Sequence, residues 1–432
     1  MEYLIILVVC LAVFFRSLKY GLVVDDIDNR ARVKYPLGFF ERIRRALDGY
    51  RPIESVFLDH CLTLTIHITV CMLIYFAFGS LAASLLFAVN VSNNQVSLWL
   101  NGKRYGINTI LCLLTYVCCG FGVVFWVLTP FFQISAMSFF LVMLVKGCWW
   151  FLLFVPLLVF VGRYTLFAKI KLKIDSCKTP KHIDWNNKKI FLVLKTISFY
   201  FFRGLIPFIP VMYIEYLQTF GLREKDNKKA YRFDLDVVVG LIIVLAIPVL
   251  YHINQVMFFG LVWWLLTIIV FGNFVTLTVP LAERYMYLPN VGLMVCLASV
   301  LSLIHPWLWI VVFCIYAARL LTFMPMYRDI NKFLEHHCYH NPTNDASWNF
   351  RTNSSAKHGD ILTMAYLTDA GLSANQDSPR LWIHRASCLR LLGQKDLALQ
   401  CIDNAKKYAT GLFGELLKDK INDVENRIKK GE

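Results

Sequence analysis

Apolar residues recur along the chain in long runs, and short polar segments separate them. Each run is close to the roughly 20 residues that a helix needs to cross the hydrocarbon core of a bilayer. The pattern therefore predicts an all-α, polytopic membrane helix bundle with about eleven spans. The predicted spans lie near residues 2–17, 57–76, 77–91, 107–127, 131–146, 148–166, 190–212, 236–252, 256–275, 290–304 and 306–323.

The spans predict a membrane domain over residues 1–323 and a polar C-terminal domain over residues 324–432. The first loop, residues 18–55, is long and rich in arginine. Its mixture of apolar and basic residues around 39–47 predicts an amphipathic helix on the membrane surface.

The C-terminal domain contains one segment whose large and small apolar residues follow the spacing of a tetratricopeptide repeat. Small residues let two antiparallel helices approach, and large ones fill the seam between them. We expect a small helical domain of one or two such units, although a plain helical hairpin would fit the same spacing. The residues at the repeat positions are Trp382, Ala386, Leu389, Gly393, Ala398, Ile402 and Ala405.

The lysine-rich loop 167–189 gives an orientation, because short cytoplasmic loops carry an excess of Lys and Arg. Counting spans from this loop puts the N-terminus inside the cell. It puts the loop 18–55, the polar segment 92–106, Lys146 and the C-terminal domain outside. The arginines of 18–55 run against the rule, but a surface helix that holds anionic ligands needs such charges.

Composition supports the membrane class, with 57% hydrophobic and only 17% charged residues. The net charge of +15 comes mainly from short loops between spans, where lipid headgroups and phosphates are the nearest partners, so we expect no nucleic-acid partner. Most of the 13 cysteines lie in apolar runs and act as small hydrophobes. The cluster His336, His337 and His340 is a weak metal-site candidate without zinc spacing.

Four polar segments at span boundaries are candidates for chemistry. The first is Asp25-Asp26, directly after the first span, where adjacent acids are often only a solvated boundary. The second contains Arg51 and leads into a span that carries Asp59, His60 and His67. Titratable groups at membrane depth are costly and usually face a polar cavity, although His67 also fits a packed core histidine.

The third segment, residues 90–105, is a dense polar run with amides, an indole and cations. It suits recognition of a sugar or phosphate, or else it is a hydrated loop. The fourth segment, residues 282–290, brings a Glu-Arg pair to a span boundary, where a buried guanidinium needs an anionic partner. The side chains of interest in these two segments are Asn93, Asn94, Gln95, Lys103, Glu283, Arg284, Tyr285 and Tyr287.

In this order and with this span count, the segments resemble the GT-C glycosyltransferases that use polyprenyl-phosphate-linked sugars. The nearest resemblance is to transmembrane O-mannosyltransferases with tetratricopeptide repeats and their bacterial relatives. It covers nearly the whole chain. The matches are Val24-Asp25-Asp26, Tyr50-Arg51-Pro52, the polar run from Asn90 to Arg104, and Ala282 to Pro289.

The resemblance implies an inverting sugar transfer with a carboxylate as general base. Asp26 would be the base and Asp25 its orienting partner, although the sequence does not choose between them. Arg284, Lys146, Arg51 and Lys103 would bind the donor phosphate, and Glu283 would hold Arg284. The resemblance does not decide whether a cofactor is needed: two adjacent aspartates could bind a divalent metal ion, but arginine alone can stabilise a lipid monophosphate leaving group. The substrate-orienting set would be Tyr285, Tyr287, Asn93, Asn94, Gln95, His60 and His67.

The resemblance also implies the partners: a polyprenyl-phosphate sugar donor, a protein or glycan acceptor, and the bilayer. We expect a bacterial inner membrane with a periplasmic site, or alternatively an endoplasmic reticulum membrane with a lumenal site. The chain departs from the family at Asn90-Val91-Ser92-Asn93 and Val145-Lys146-Gly147, so mannose is not implied. The competing interpretations are a transporter or flippase of a lipid-linked or polar substrate, and a scaffold that recruits partners.

Overall fold

The computed structural model describes most of the chain, with gaps, and its described part is all-helical, with eighteen α-helices and no strand. Two compact units divide the chain: one ends at Asp329 and the other begins, in its described part, at Ile330. The described residues are 1–20, 55–98, 102–119, 122–132, 139–154, 189–206, 233–269, 281–340, 342, 345–409 and 411–431.

The first unit contains twelve of these helices. They are α1 (Glu2–Phe14), α2 (Val56–Phe78), α3 (Leu81–Val89), α4 (Asn94–Ser97), α5 (Lys103–Cys118), α6 (Gly122–Phe132), α7 (Phe139–Val145), α8 (Lys189–Leu205), α9 (Leu235–Ile253), α10 (Gln255–Ile268), α11 (Tyr287–Ile304) and α12 (Leu308–Phe323).

Side-chain caps define where several of these helices begin. Ser55 caps α2 by accepting the Leu58 amide at 3.3 Å, and Ser80 does the same for α3. Between these two helices Gly79 adopts φ +63°, a left-handed conformation that glycine enters without strain. Asn254 caps α10 by accepting two backbone amides, at 2.9 and 3.1 Å. Short polar residues therefore divide the apolar runs into separate helices.

Four helical segments of the described part are long and apolar enough to cross a membrane: Val56–Phe78, Leu235–Ile253, Glu283–Ile304 and Leu308–Arg328. They correspond to four of the predicted spans, so a membrane protein is supported by length and composition. The total of about eleven stays a prediction.

The span predicted near 107–127 is not one helix. Helix α5 ends at Cys118, the chain turns, and α6 begins at Gly122 and packs back against α5. A Cβ on Gly122 would lie only 2.4 Å from the Thr115 carbonyl oxygen, which shows how closely the two helices approach. The continuous apolar run is therefore folded into a helical hairpin.

The second unit contains six helices, α13 to α18. At its centre α16 (Pro379–Leu391) and α17 (Lys395–Tyr408) form a hairpin, with Gly393 at φ +75° in the turn, and α18 (Gly411–Lys430) follows. Ala386, Ala398 and Ala405 are fully buried in the seam, as their spacing predicts, while Ile421 of α18 covers the hairpin. The helical pair is present, and its identity as a tetratricopeptide repeat stays a prediction. The six helices are Ile330–His340, Asp345–Lys357, Ile361–Ala374, Pro379–Leu391, Lys395–Tyr408 and Gly411–Lys430.

Candidate functional site

The structure brings the third and fourth polar segments into direct contact. Asn290, in the first turns of α11, donates to Asn93 at 2.9 Å and to Ser92 at 3.1 Å. The backbone amide of Arg284 donates to the side-chain oxygen of Gln95 at 3.1 Å. Two segments that lie far apart in sequence therefore form one buried polar layer at the start of α11.

A pair of guanidinium groups converges on one phenol in this layer. Tyr105, in the first turn of α5, is buried. The Arg104 guanidinium lies 5.2 Å from the Tyr105 ring centre, and the Tyr105 ring lies 6.3 Å from that of Tyr285. Burial alone would raise the pKa of the Tyr105 phenol, but the positive charges of Arg284 and Arg104 outweigh burial and lower that pKa. Arg284 also lies 5.4 Å from the ring centre of Tyr285. The result is a positively charged, largely buried corner that fits an anion.

Arg104 and Tyr105 belong to the polar run, but neither was a candidate site residue. The sequence signal was available, because Arg104 directly follows Lys103 at the start of an apolar helix. What the sequence did not provide was the convergence of Arg104 with Arg284, which depends on a contact between remote helices.

Glu283 does not occupy the expected place beside Arg284. Its carboxylate lies 3.8 Å from the guanidinium of Arg203, near the end of α8, and both side chains are buried. Arg203 was not among the predicted residues, although a cation within the apolar stretch of α8 was a signal for it. In the described structure, Glu283 therefore links the start of α11 to α8.

Lys103 and Asp59 form an ion pair in which both side chains are almost completely buried, at 1% and 0% exposure. The pair joins the first turn of α5 to the first turn of α2. His60, next to Asp59, is also buried. Because the Lys103 ammonium faces a carboxylate, the geometry assigns it to holding two helices together and does not support its predicted role in binding donor phosphate.

His67 and Tyr287 form a core contact below this layer. The Nδ1 atom of His67 lies 2.7 Å from the Tyr287 hydroxyl, and its Nε2 atom lies 3.1 Å from the carbonyl of Ala88. Both ring nitrogens thus have partners inside the helix bundle. Of the two interpretations of His67, this geometry favours a histidine packed in the core over one that faces a polar cavity. Tyr287, its partner, has the same structural role.

The three predicted amides have different environments. Asn93 donates to the Phe87 carbonyl at 2.8 Å and accepts from Asn290, so it fixes the polar segment to two helices. Gln95 holds the backbone of Arg284. Asn94 is fully buried, and neither atom of its amide has a hydrogen-bond partner within the described residues. A buried, unsatisfied amide is costly, so Asn94 is the one most readily explained by a ligand.

Lys146 lies away from the polar layer. Its ammonium donates to the Tyr116 carbonyl and lies 3.1 Å from the Cys119 sulfur, at the far end of α5. Helix α5 has 16 residues, and a rise of 1.5 Å per residue separates its two ends by about 24 Å. The described structure therefore does not bring Lys146 to Arg284, in contrast to the topology count.

Three residues that the sequence predicts for the site, Asp25, Asp26 and Arg51, lie outside the described residues. Within the described ranges no group of three His, Cys, Asp or Glu side chains is arranged to hold a metal ion. This includes the segment His336 to His340, which lies on the helix Ile330–His340.

No protein-family model matches the chain, and comparison with curated proteins and with solved structures finds no significant match.

Proposed function

We propose that this chain is an integral-membrane inverting glycosyltransferase with about eleven spans, which moves a sugar from a polyprenyl-phosphate donor to an acceptor hydroxyl. The observation that supports this proposal is the position of the Arg104 and Arg284 guanidiniums beside the neighbouring rings of Tyr105 and Tyr285. The residues come from two of the four segments on which the resemblance to GT-C enzymes rests.

The positive corner fits the leaving group of such a reaction. When the bond between the anomeric carbon and the phosphate oxygen breaks, negative charge develops on the phosphate, and two guanidiniums offer paired donors where it develops. Gln95 holds the Arg284 backbone, which fixes the start of the segment that carries the guanidinium. Arg104 takes the place that the sequence had given to Lys103.

Asp26 would act as general base, with Asp25 orienting it or exchanging roles with it. The base removes the proton of the acceptor hydroxyl while its oxygen attacks the anomeric carbon. The new glycosidic bond forms as the bond to the polyprenyl phosphate breaks, with inversion and without a covalent sugar intermediate. The acceptor is a protein serine or threonine or a glycan hydroxyl, on the extracytoplasmic face of a bacterial inner membrane or in the endoplasmic reticulum lumen.

The test uses the full chain, purified in lipid nanodiscs and supplied with polyprenyl-phosphate sugars and candidate acceptors. Transfer should be abolished in the Asp25→Asn plus Asp26→Asn double variant. Arg284→Met should lower kcat/KM by about 10²–10³, the usual effect of removing a donor to a developing oxyanion. Lys146→Met is the matched control, because it removes a half-buried cation of the same unit about 24 Å away along α5 and should leave transfer intact.

Two outcomes would contradict the proposal. Full activity in the double aspartate variant would show that neither Asp25 nor Asp26 is the general base. Transport of a lipid-linked substrate across the bilayer without any glycan product would favour the transporter, for which the buried Asp59–Lys103 pair inside a span is the supporting observation.

A further inference from the structure

A second cluster of reactive side chains lies at the far end of α5, away from the polar layer. The ammonium of Lys146 lies 3.1 Å from the sulfur of Cys119 and 3.7 Å from the ring centre of Tyr116. Cys148 lies two residues after Lys146, and its thiol interacts with the thiol of Cys119. Two chain segments, the end of α5 and the turn after α7, thus place two thiols and one cation together.

Both thiols can be reached from outside the fold. Cys119 and Cys148 are partly exposed, and neither is in a disulfide. Within the described ranges Cys119 is the one residue other than glycine with a positive φ, at 28°. Such strained conformations persist where the surrounding structure imposes them, and they concentrate at functional positions.

The chain contains a natural comparison for this pair. The thiols of Cys10 in α1 and Cys71 in α2 also interact with each other, but both residues are completely buried. Both pairs consist of two neighbouring thiols. The Cys119–Cys148 pair is partly exposed and lies beside the Lys146 ammonium, whereas the Cys10–Cys71 pair is buried. A cation beside a thiol favours the nucleophilic thiolate, and exposure decides whether a reagent can reach it.

We propose that Cys119 and Cys148 form a reversible thiol-oxidation site that reacts with low-molecular-weight disulfides. The Cys119 thiolate attacks one sulfur of the disulfide RSSR, whose S–S bond breaks to release one RS⁻. The Cys148 thiolate then attacks the Cys119 sulfur of this mixed disulfide and releases the second RS⁻. The released thiolates take up the two protons lost by the cysteines, so the protein loses two electrons and RSSR gains them. Lys146 stabilises the attacking thiolate.

Oxidised glutathione is the probe, added to the full chain in nanodiscs under native conditions. Peptide mapping by mass spectrometry without reduction should find a Cys119–Cys148 disulfide, while Cys10 and Cys71 stay reduced. Cys148→Ser should stop the reaction at a glutathione adduct on Cys119. Lys146→Met should slow the first step severalfold without changing the final disulfide. Cys71→Ser is the matched control and should change nothing at Cys119.

The proposal is overturned if glutathione attaches only to the exposed Cys118, or if no Cys119–Cys148 bridge forms at any glutathione concentration that leaves the chain folded. Equal oxidation of the Cys10–Cys71 pair would also contradict it, because access would then not select the site. None of these readouts depends on sugar transfer, so this proposal stands or fails independently of the proposed function.

Discussion

The buried ion pair between Asp59 and Lys103 predicts that its two members depend on each other for stability. Lys103→Met should destabilise the protein by about 3–5 kcal/mol, because it leaves a carboxylate buried away from water without that ammonium. The measurement is the free energy of unfolding of the purified chain in a mild detergent.

The double variant Asp59→Leu plus Lys103→Met provides the control for this prediction. It removes both charges and replaces them with apolar groups of similar size, so it should be more stable than Lys103→Met alone. Additive losses in the double variant would mean that the two side chains do not interact as the structure places them.

His384 predicts a pH dependence of the C-terminal domain. Burial, with the nearby charges of Lys420 and Arg380, lowers the pKa of His384 to about 3, and its Nε2 atom contacts Asn349 at 2.9 Å. The unfolded chain therefore binds a proton from about pH 6.5 downward, whereas the folded domain resists it. Stability is complete above pH 6.5 and should fall by about 1.4 kcal/mol per pH unit as the pH drops from there toward 3.

Hydrogen exchange of the peptides around residue 384, in the full chain, measures this effect. His384→Gln cannot titrate, so its exchange should lose this pH dependence even if its stability at neutral pH is lower. His358 is the matched control, since it is exposed and hydrogen-bonded to its own helix, and His358→Gln should keep the wild-type profile. A wild-type profile in His384→Gln would rule out His384 as the cause.

At the scale of helices, α10 and α11 approach each other through two glycines. A Cβ on Gly260 would lie 2.6 Å from the Gly292 carbonyl oxygen, and one on Gly292 would lie 2.4 Å from the Gly260 oxygen. Close backbone approach at small residues is a common way for helices to associate in membranes. Because the obstructing atoms are backbone atoms, Gly260→Ala should force the helices apart and cost about 1–3 kcal/mol.

Thermal unfolding in detergent checks the glycine prediction. Leu303→Ala changes the side chain by more atoms, but at a position of α11 that is 61% exposed, and should leave the melting temperature nearly unchanged. A Gly260→Ala protein as stable as the Leu303→Ala protein would show that the helix crossing is looser than the structure gives it.

Hydropathy predicted helices better than it predicted their ends. The segments Val56–Phe78 and Leu235–Ile253 match predicted spans closely because polar or glycine caps interrupt the apolar run at both boundaries. The run 107–127 has no such cap near its middle. Gly120 and Gly122 are the sequence signal there for the break between α5 and α6. The hairpin of α5 and α6 was therefore invisible to a pattern that averages apolarity over a window.

The candidate site shows the same limit. Polar residues at span boundaries identified the segments that meet at Gln95 and Arg284. A polar group in apolar surroundings costs free energy, so it usually has a partner or a functional role. Their partners could not be predicted, since the contacts of Glu283 with Arg203 and of Lys103 with Asp59 join helices remote in sequence. The position of Lys146 at the far end of α5 could not be predicted either, because counting spans assigns a membrane face and gives no distance between residues.

At the scale of the whole molecule, an odd or even number of spans determines whether the two termini lie on opposite sides of the membrane or on the same side. The described residues contain four candidate spans, and the prediction of about eleven is odd, so the N-terminus and the C-terminal domain should lie on opposite faces. Epitope tags after Met1 and after Glu432, probed by protease in sealed, right-side-out vesicles, measure this directly. The C-terminal tag should be digested and the N-terminal tag protected, and both should be digested after detergent is added. An even number of spans would give both tags the same protection, in which case the extracytoplasmic placement of the first loop and the C-terminal domain could not both hold.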